Sequence, residues 1–199
     1  MSGRGHIKGA AFGEFVAWYA VHGDAAELRE AIDHVELEHP GTFDPDRDGF
    51  GILSSRWYPA ELVHALLDRI VEGKPATVLQ QIADRAARDI MTKTLSGVYR
   101  FLFSTFATPE RYARHAGRLW EMHYDSGEIS IEAVDGGWRS RISGWGGHHP
   151  FICRLNMAAT VPIYEAMGCR DVSYRRLACV SDGAPACESR VKATPPRSR

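Results

Sequence analysis

The chain has 199 residues, 44% of them hydrophobic and 25% charged, with a formal net charge of -1. Such a composition excludes disorder and collagen-like character, and at this length roughly 70% of the unfolded chain's surface can be buried without help from disulfides or metals. The near-neutral balance excludes a strongly basic nucleic-acid-binding domain. No run of apolar residues is long enough to span a membrane. The N-terminal apolar stretch Ala10 to Val21 is interrupted by Glu14, so it is expected as a helix and not as an export signal. A cytoplasmic location follows as the expectation. The four cysteines, Cys153, Cys169, Cys179 and Cys187, all fall in the last quarter of the chain. In a reducing compartment they suit thiol or metal-ligand roles better than disulfides.

In chain order, residues 1–5 and 193–199 are expected as tails around one domain over 6–192. Lys8 to Val21 and Ala25 to Leu37 read as a helical pair, with Asp24 capping the second helix. A loop rich in Pro, Gly and Asp follows. Within it Asp44-Pro45-Asp46-Arg47-Asp48-Gly49 is similar to the opening of an EF-hand, but its twelfth position is Ser55 where a bidentate Glu is needed, so a solvated acidic loop is expected. Tyr58-Pro59-Ala60-Glu61 opens the next helix, with Leu62, Leu66 and Ile70 on one face. Pro75 to Leu95 repeats apolar residues every four positions (Val78, Ile82, Ala86, Ile90) and predicts a helix packed on one side. Gly97 to Phe106 predicts a buried helix, and Thr108-Pro109-Glu110 a capped one running to about Met122.

After Tyr124 the period changes from helical to alternating. Residues 128–133 and 138–144 around Asp135-Gly136-Gly137 predict a β-hairpin. Pro150 to Met167 predicts a helix ending at Gly168, and residues 170–180 and 186–192 predict two strands around Ser181-Asp182-Gly183. The expected fold class is therefore α+β, with a helical N-terminal part packed on the small antiparallel sheet of a ββαββ C-terminal part.

The closing segment, Gly168-Cys169-Arg170-Asp171-Val172 with Cys179-Val180-Ser181-Asp182-Gly183-Ala184-Pro185-Ala186-Cys187, resembles the end of the 4-vinyl-reductase (V4R) domain. That domain shares a superfamily with haem nitric-oxide-binding domains and Bet3-type trafficking subunits. Ile7-Lys8-Gly9, Ser55-Arg56-Trp57-Tyr58-Pro59 and Thr108-Pro109-Glu110-Arg111 extend the resemblance, which is closest to a paralogous family expanded in myxobacteria. It implies a V4R/Bet3-like fold, a homodimer, and a role as sensor or adaptor.

The resemblance also implies candidate zinc ligands in Cys153, Cys179 and Cys187. The fourth ligand in those domains is a Glu where this chain has Arg176. Cys169, His148 or His149 are the alternatives. Small buried thiols with no metal are the competing explanation. Trp120, Tyr124, Trp138, Trp145 and Tyr174 are candidates to line a site for a small apolar or aromatic ligand, against plain core packing, which carries more weight. The haem-gripping Tyr-x-Ser-x-Arg pattern is missing and none of the nine histidines stands in a recognisable proximal-ligand context, so no haem is expected. Nor is there a nucleophile elbow, phosphate loop or dinucleotide fingerprint, so no catalytic residue is assigned. The expected function is a non-enzymatic sensory or regulatory module that binds a small ligand or a protein partner. A scaffolding adaptor is the alternative, and an accessory factor for tetrapyrrole vinyl reduction ranks third.

Overall fold

The computed structural model of the chain describes residues 5–95 and 108–195. These form an α+β fold with six α-helices and two antiparallel sheets among the described residues. The expected helix over Gly97 to Phe106 lies outside them.

The helical layer begins with β1 (His6–Lys8), α1 (Gly9–His22) and α2 (Ala25–Glu38). Asp24 caps α2 by accepting from the N–H groups of Ala26 and Glu27 at 2.9 and 3.0 Å, which satisfies donors that no turn of the helix can reach. Next come β2 (Trp57–Pro59), α3 (Ala60–Val71) and α4 (Ala76–Thr94). The Tyr58-Pro59 helix opening is thus corrected. Pro59 has extended backbone, ends β2 and caps α3, while β2 pairs with β1 through Ile7 and Tyr58. Three-residue strands are too short to show alternation in a sequence. Gly9 is required where β1 turns into α1, because a Cβ there would lie 2.1 Å from the Leu53 carbonyl oxygen.

Phe12, Phe15, Leu28, Ile32, Leu66 and Ile70, all nearly inaccessible, make the core between these helices. Each buried side chain of this size contributes about 1.5–3 kcal/mol relative to exposure.

α5 (Pro109–Glu121) is capped by Thr108, whose hydroxyl accepts from Arg111 N–H at 3.3 Å. The second sheet then forms from β3 (Glu128–Val134), β4 (Gly137–Ser143), β5 (Arg170–Ala178) and β6 (Ala186–Thr194), in the order β3-β4-β6-β5. Between the hairpins runs α6 (Pro150–Ala166), packed against β5 and β6 on one side and α4 on the other. Residues in register, such as Ile142 with Cys187 and Trp138 with Val191, put one face of the sheet under this layer. Ser140 and Ser189 share a hydrogen bond of 2.8 Å across β4 and β6, Ser189 being fully buried. The opposite face is polar. β6 continues to Thr194, opposite Arg170, beyond the expected start of a tail.

Candidate metal centre and its surroundings

Three segments that are distant in sequence meet at the N-terminus of α6. His149 caps this helix, its Nδ1 accepting from Phe151 N–H at 3.2 Å, and Pro150 follows, where a missing N–H costs nothing. Nε2 of the same ring donates to Asp68 at 3.0 Å. That pairing requires a neutral imidazole protonated on Nε2, and burial accordingly lowers the His149 pKa. His149 is committed to the helix cap, which leaves the neighbouring His148 free to turn the other way.

His148 Nε2 lies 3.4 Å from Cys179 Sγ, which in turn lies 3.5 Å from Cys187 Sγ and 3.8 Å from Cys153 Sγ. The four ligand atoms all fall within 4.8 Å of one another. A tetrahedral zinc ion with Zn–S about 2.3 Å and Zn–N about 2.0 Å has S–S edges of about 3.8 Å and S–N edges of about 3.5 Å. The residues present fit zinc. The three cysteines are buried and their thiols are free. Val180 N–H points at Cys187 Sγ at 3.4 Å, and Ser181 Oγ donates to Cys179 Sγ at 3.1 Å, so the sulfurs are oriented by partners outside the cluster. Hydrogen bonds from Cys153, and then from His148, Val180 N–H and Cys179, draw the Cys187 thiol below its ordinary range. Cys153 moves in the opposite direction, because its bond to Cys187 and its burial favour the neutral thiol. Within the cluster Cys187 is the sulfur whose surroundings most favour the thiolate, the form that binds metals.

Cys169 is placed elsewhere, packed with Trp138, Tyr164, Met167 and Val191. Arg176, in the position where the resembling domains have a carboxylate ligand, forms an ion pair with Asp182 at 2.9 Å. The carboxylates of the acidic loop are exposed, as a solvated loop requires: Asp44 accepts from Asp46 N–H at 3.1 Å, and Asp46 faces Arg29 at 3.6 Å. Among the described residues its carboxylates form no metal-holding group.

The five candidate aromatics divide into three places. Trp120, Tyr124 and Trp145 pack on one another with ring centroids 4.2, 4.8 and 5.0 Å apart. Gly127 makes this possible with a positive φ of 84° and no Cβ, which would come within 2.9 Å of Trp145 Cα. Trp120 Nε1 donates to Ser126 O, and Asn156 Nδ2 donates to Tyr124 OH at 3.0 Å. Trp145 Nε1 is buried and makes no hydrogen bond. The Trp145 ring also meets His148 edge-on at 5.2 Å, which joins this cluster to the thiols. Trp138 packs on Tyr164 at 5.1 Å. Tyr174 donates to Asp84 of α4 at 2.7 Å. Two surface cavities, of about 260 and 370 Å³, are lined by other residues, apart from Tyr174 in the smaller one.

Comparison with solved structures places the fold. An H-NOX domain carrying 4-cyano-L-phenylalanine superposes with a TM-score of 0.64 at 12% identity, covering 97% of this chain and 100% of that one. An H-NOX protein from S. oneidensis in its Fe(II)NO state gives 0.62 at 10% identity, over 94% and 99%. An oxygen-binding H-NOX domain related to soluble guanylate cyclases gives 0.61 at 10% identity, over 97% and 98%. No family model and no curated protein matches the sequence. At these identities the likeness establishes the fold alone.

Two expectations are corrected by this finding. The V4R, Bet3 and myxobacterial resemblance is overturned, since the structures named above are H-NOX domains. The motifs behind it are short turn and strand-end pieces, and two cysteines flanking a tight turn mark a metal-ligand hairpin more than a family. The exclusion of haem is withdrawn for the same reason: it rested on a missing motif and on nine histidines without a recognisable proximal context, and the fold is that of domains solved with haem. Haem needs an axial side chain facing an apolar cavity. Among the described residues the imidazoles nearest the interior are committed elsewhere, His149 to Asp68, His148 to the thiols and His64 to Gly147 O at 3.2 Å.

No helix among the described residues is long and apolar enough to cross a membrane.

Proposed function

We propose that this chain is a non-enzymatic sensory or regulatory module whose centre is a zinc ion held by His148, Cys153, Cys179 and Cys187. The convergence of four ligand atoms from three segments carries this reading. Four protein ligands complete the coordination of zinc and leave no position for substrate, which is the mark of a structural site. Zinc supplies a cross-link here between α6 and the closing hairpin of β5 and β6. The free thiols suit a reducing compartment, the cytoplasm.

His148 also gives the site a way to respond. Its ring touches Trp145, and Trp145 packs on Trp120 and Tyr124. A small apolar or aromatic ligand that displaces these rings would shift His148 against the sulfurs and favour one of two packings of the layer above the sheet. The response would reach a protein partner, or a second copy in a homodimer, through surface contact. An adaptor acting by its surface alone is the second reading, favoured by the way the three rings fill one another's space.

Native mass spectrometry of the protein purified without chelator from its own cells tests these readings together. The expected mass carries one zinc per chain, and His148→Ala or Cys187→Ser removes it. Less than about half an equivalent of zinc overturns the centre. A retained apolar molecule supports the sensor, and a Soret band would identify that molecule as haem. A zinc-bearing chain that retains only a protein partner supports the adaptor.

A further inference from the structure

The polar face of the sheet, opposite the thiol centre, carries a second arrangement. Along β6, Cys187, Ser189 and Val191 face the helices, so Glu188, Arg190 and Lys192 face outward. Arg190 lies directly opposite Arg139 on β4 and directly opposite Arg175 on β5. Three arginines thus stand abreast across three strands, although like charges in direct cross-strand pairs are destabilising.

Glu188 answers for part of this row by pairing with Arg139 and Arg141. Arg175, Arg190 and Lys192 form no ion pair with a carboxylate among the described residues. Arg190 donates to the Asp135 carbonyl oxygen, while its Nε is buried without a hydrogen bond. These three cations, with Ser173 and Tyr174, line the cavity of about 260 Å³.

We propose that this cavity binds a small ligand bearing an oxyanion, a phosphate or carboxylate group, held by Arg175, Arg190 and Lys192. Guanidinium forks match the geometry of such groups and bind them through charge-assisted hydrogen bonds. Surplus positive charge is concentrated at the cavity, because the neighbouring Arg139 and Arg141 share Glu188 and Arg139 also stands directly opposite Glu132 on β3, two carboxylates for two guanidinium groups, and so the site suits a small anion better than a polyanionic surface. A bound oxyanion relieves the repulsion between Arg175 and Arg190. The site is independent of the zinc centre, which lies on the other face of β6.

The test is an NMR titration of isotope-labelled full-length protein with inorganic phosphate and, separately, succinate, against potassium chloride at equal ionic strength. Saturable shifts at the amides of Ser173, Arg175, Arg190 and Lys192 are expected with at least one of the two anions. Arg175→Gln should weaken binding by at least about tenfold, and Lys192→Gln should weaken it in the same direction. Without ligand at low salt, Arg175→Gln should melt no lower than wild type, since it removes a repulsion. A residue with a purely structural role would destabilise instead. Shifts no larger than those from chloride overturn the proposal, as does an Arg175→Gln protein that binds like wild type. Saturable binding of a hexaglutamate peptide in the absence of binding by either small anion also overturns it, and assigns the face to an acidic protein.

Discussion

The helical layer before α5 and the sheet with α6 solve different problems. In the first, buried positions are apolar or aromatic along α1 to α4, and polar groups serve caps and loops, as Asp24 does for α2. In the second, thiols, the His149 imidazole and the Ser189 hydroxyl are buried among the apolar residues, and the outer face of the sheet carries a row of cations. The difference teaches where each kind of energy resides. One region is held chiefly by area removed from water, which needs no metal and is not screened by ions as charge pairs are; the other depends on groups whose charge and ligation can change.

The largest effect expected belongs to the apolar region. Tyr58 is inaccessible, stands edge-on to Phe12 at 5.3 Å and accepts from Leu53 N–H at 2.9 Å. Tyr58→Ala should lower stability by about 5 kcal/mol, combining a large-to-small cavity with an unpaired N–H. Urea unfolding measures it, and zinc content should stay at the wild-type level. A loss of zinc in this variant would dissolve the distinction between the regions.

The reverse experiment is next in size. Chelation of zinc, or Cys187→Ser, should cost about 4 kcal/mol where free zinc stands a thousandfold above its dissociation constant. Hydrogen exchange should quicken in β5, β6 and the first turn of α6 while α1 to α3 keep their protection. Uniform loss of protection across both regions would show that they unfold as one unit.

These regions were also unequally legible in the sequence. Helices with four-residue apolar repeats and marked ends, such as α4 and the Thr108-capped α5, stand in the sequence where the structure has them. β1 and β2 were hidden, because three residues carry no period and their pairing depends on contacts between Ile7 and Tyr58 that are far apart in the chain. Three members of the thiol cluster entered through the family resemblance, by their places around a helix start and a tight turn. The fourth did not, since adjacent histidines look alike until one is seen to cap α6 and the other to face the sulfurs. The only sequence signal was the position of His149 before Pro150, the usual place of a cap. The cation row was invisible because it needs the register of three strands.

Smaller tests sharpen the comparison within the apolar region itself. Asp24→Ala removes an acceptor for two N–H groups and should lower stability by about 1 kcal/mol at any salt concentration, while Asp24→Asn should restore most of it. Thermal melts at two salt concentrations check this, and a loss that vanishes in high salt would mean that the charge of Asp24 matters more than its cap.

The smallest effect is local and depends on pH. Glu36 at the end of α2 accepts from the N–H groups of Gly41, Phe43 and Thr42, and these bonds, that of Gly41 first, hold its carboxyl below the usual glutamate range although burial acts against them. A carboxyl whose folded pKa is depressed contributes stability that is complete above its unfolded value, near 4.5, and lost as the pH falls toward the folded value. The loop after α2 should therefore loosen below about pH 4.5, read as faster exchange at the amides of Gly41, Thr42 and Phe43 once the intrinsic pH dependence is removed. Glu36→Gln should abolish that step while leaving exchange in α3 and β6 unchanged. If the step persists in Glu36→Gln, the loop is held by something other than this carboxylate, and the helical layer contains a titrating contact that its apolar character conceals.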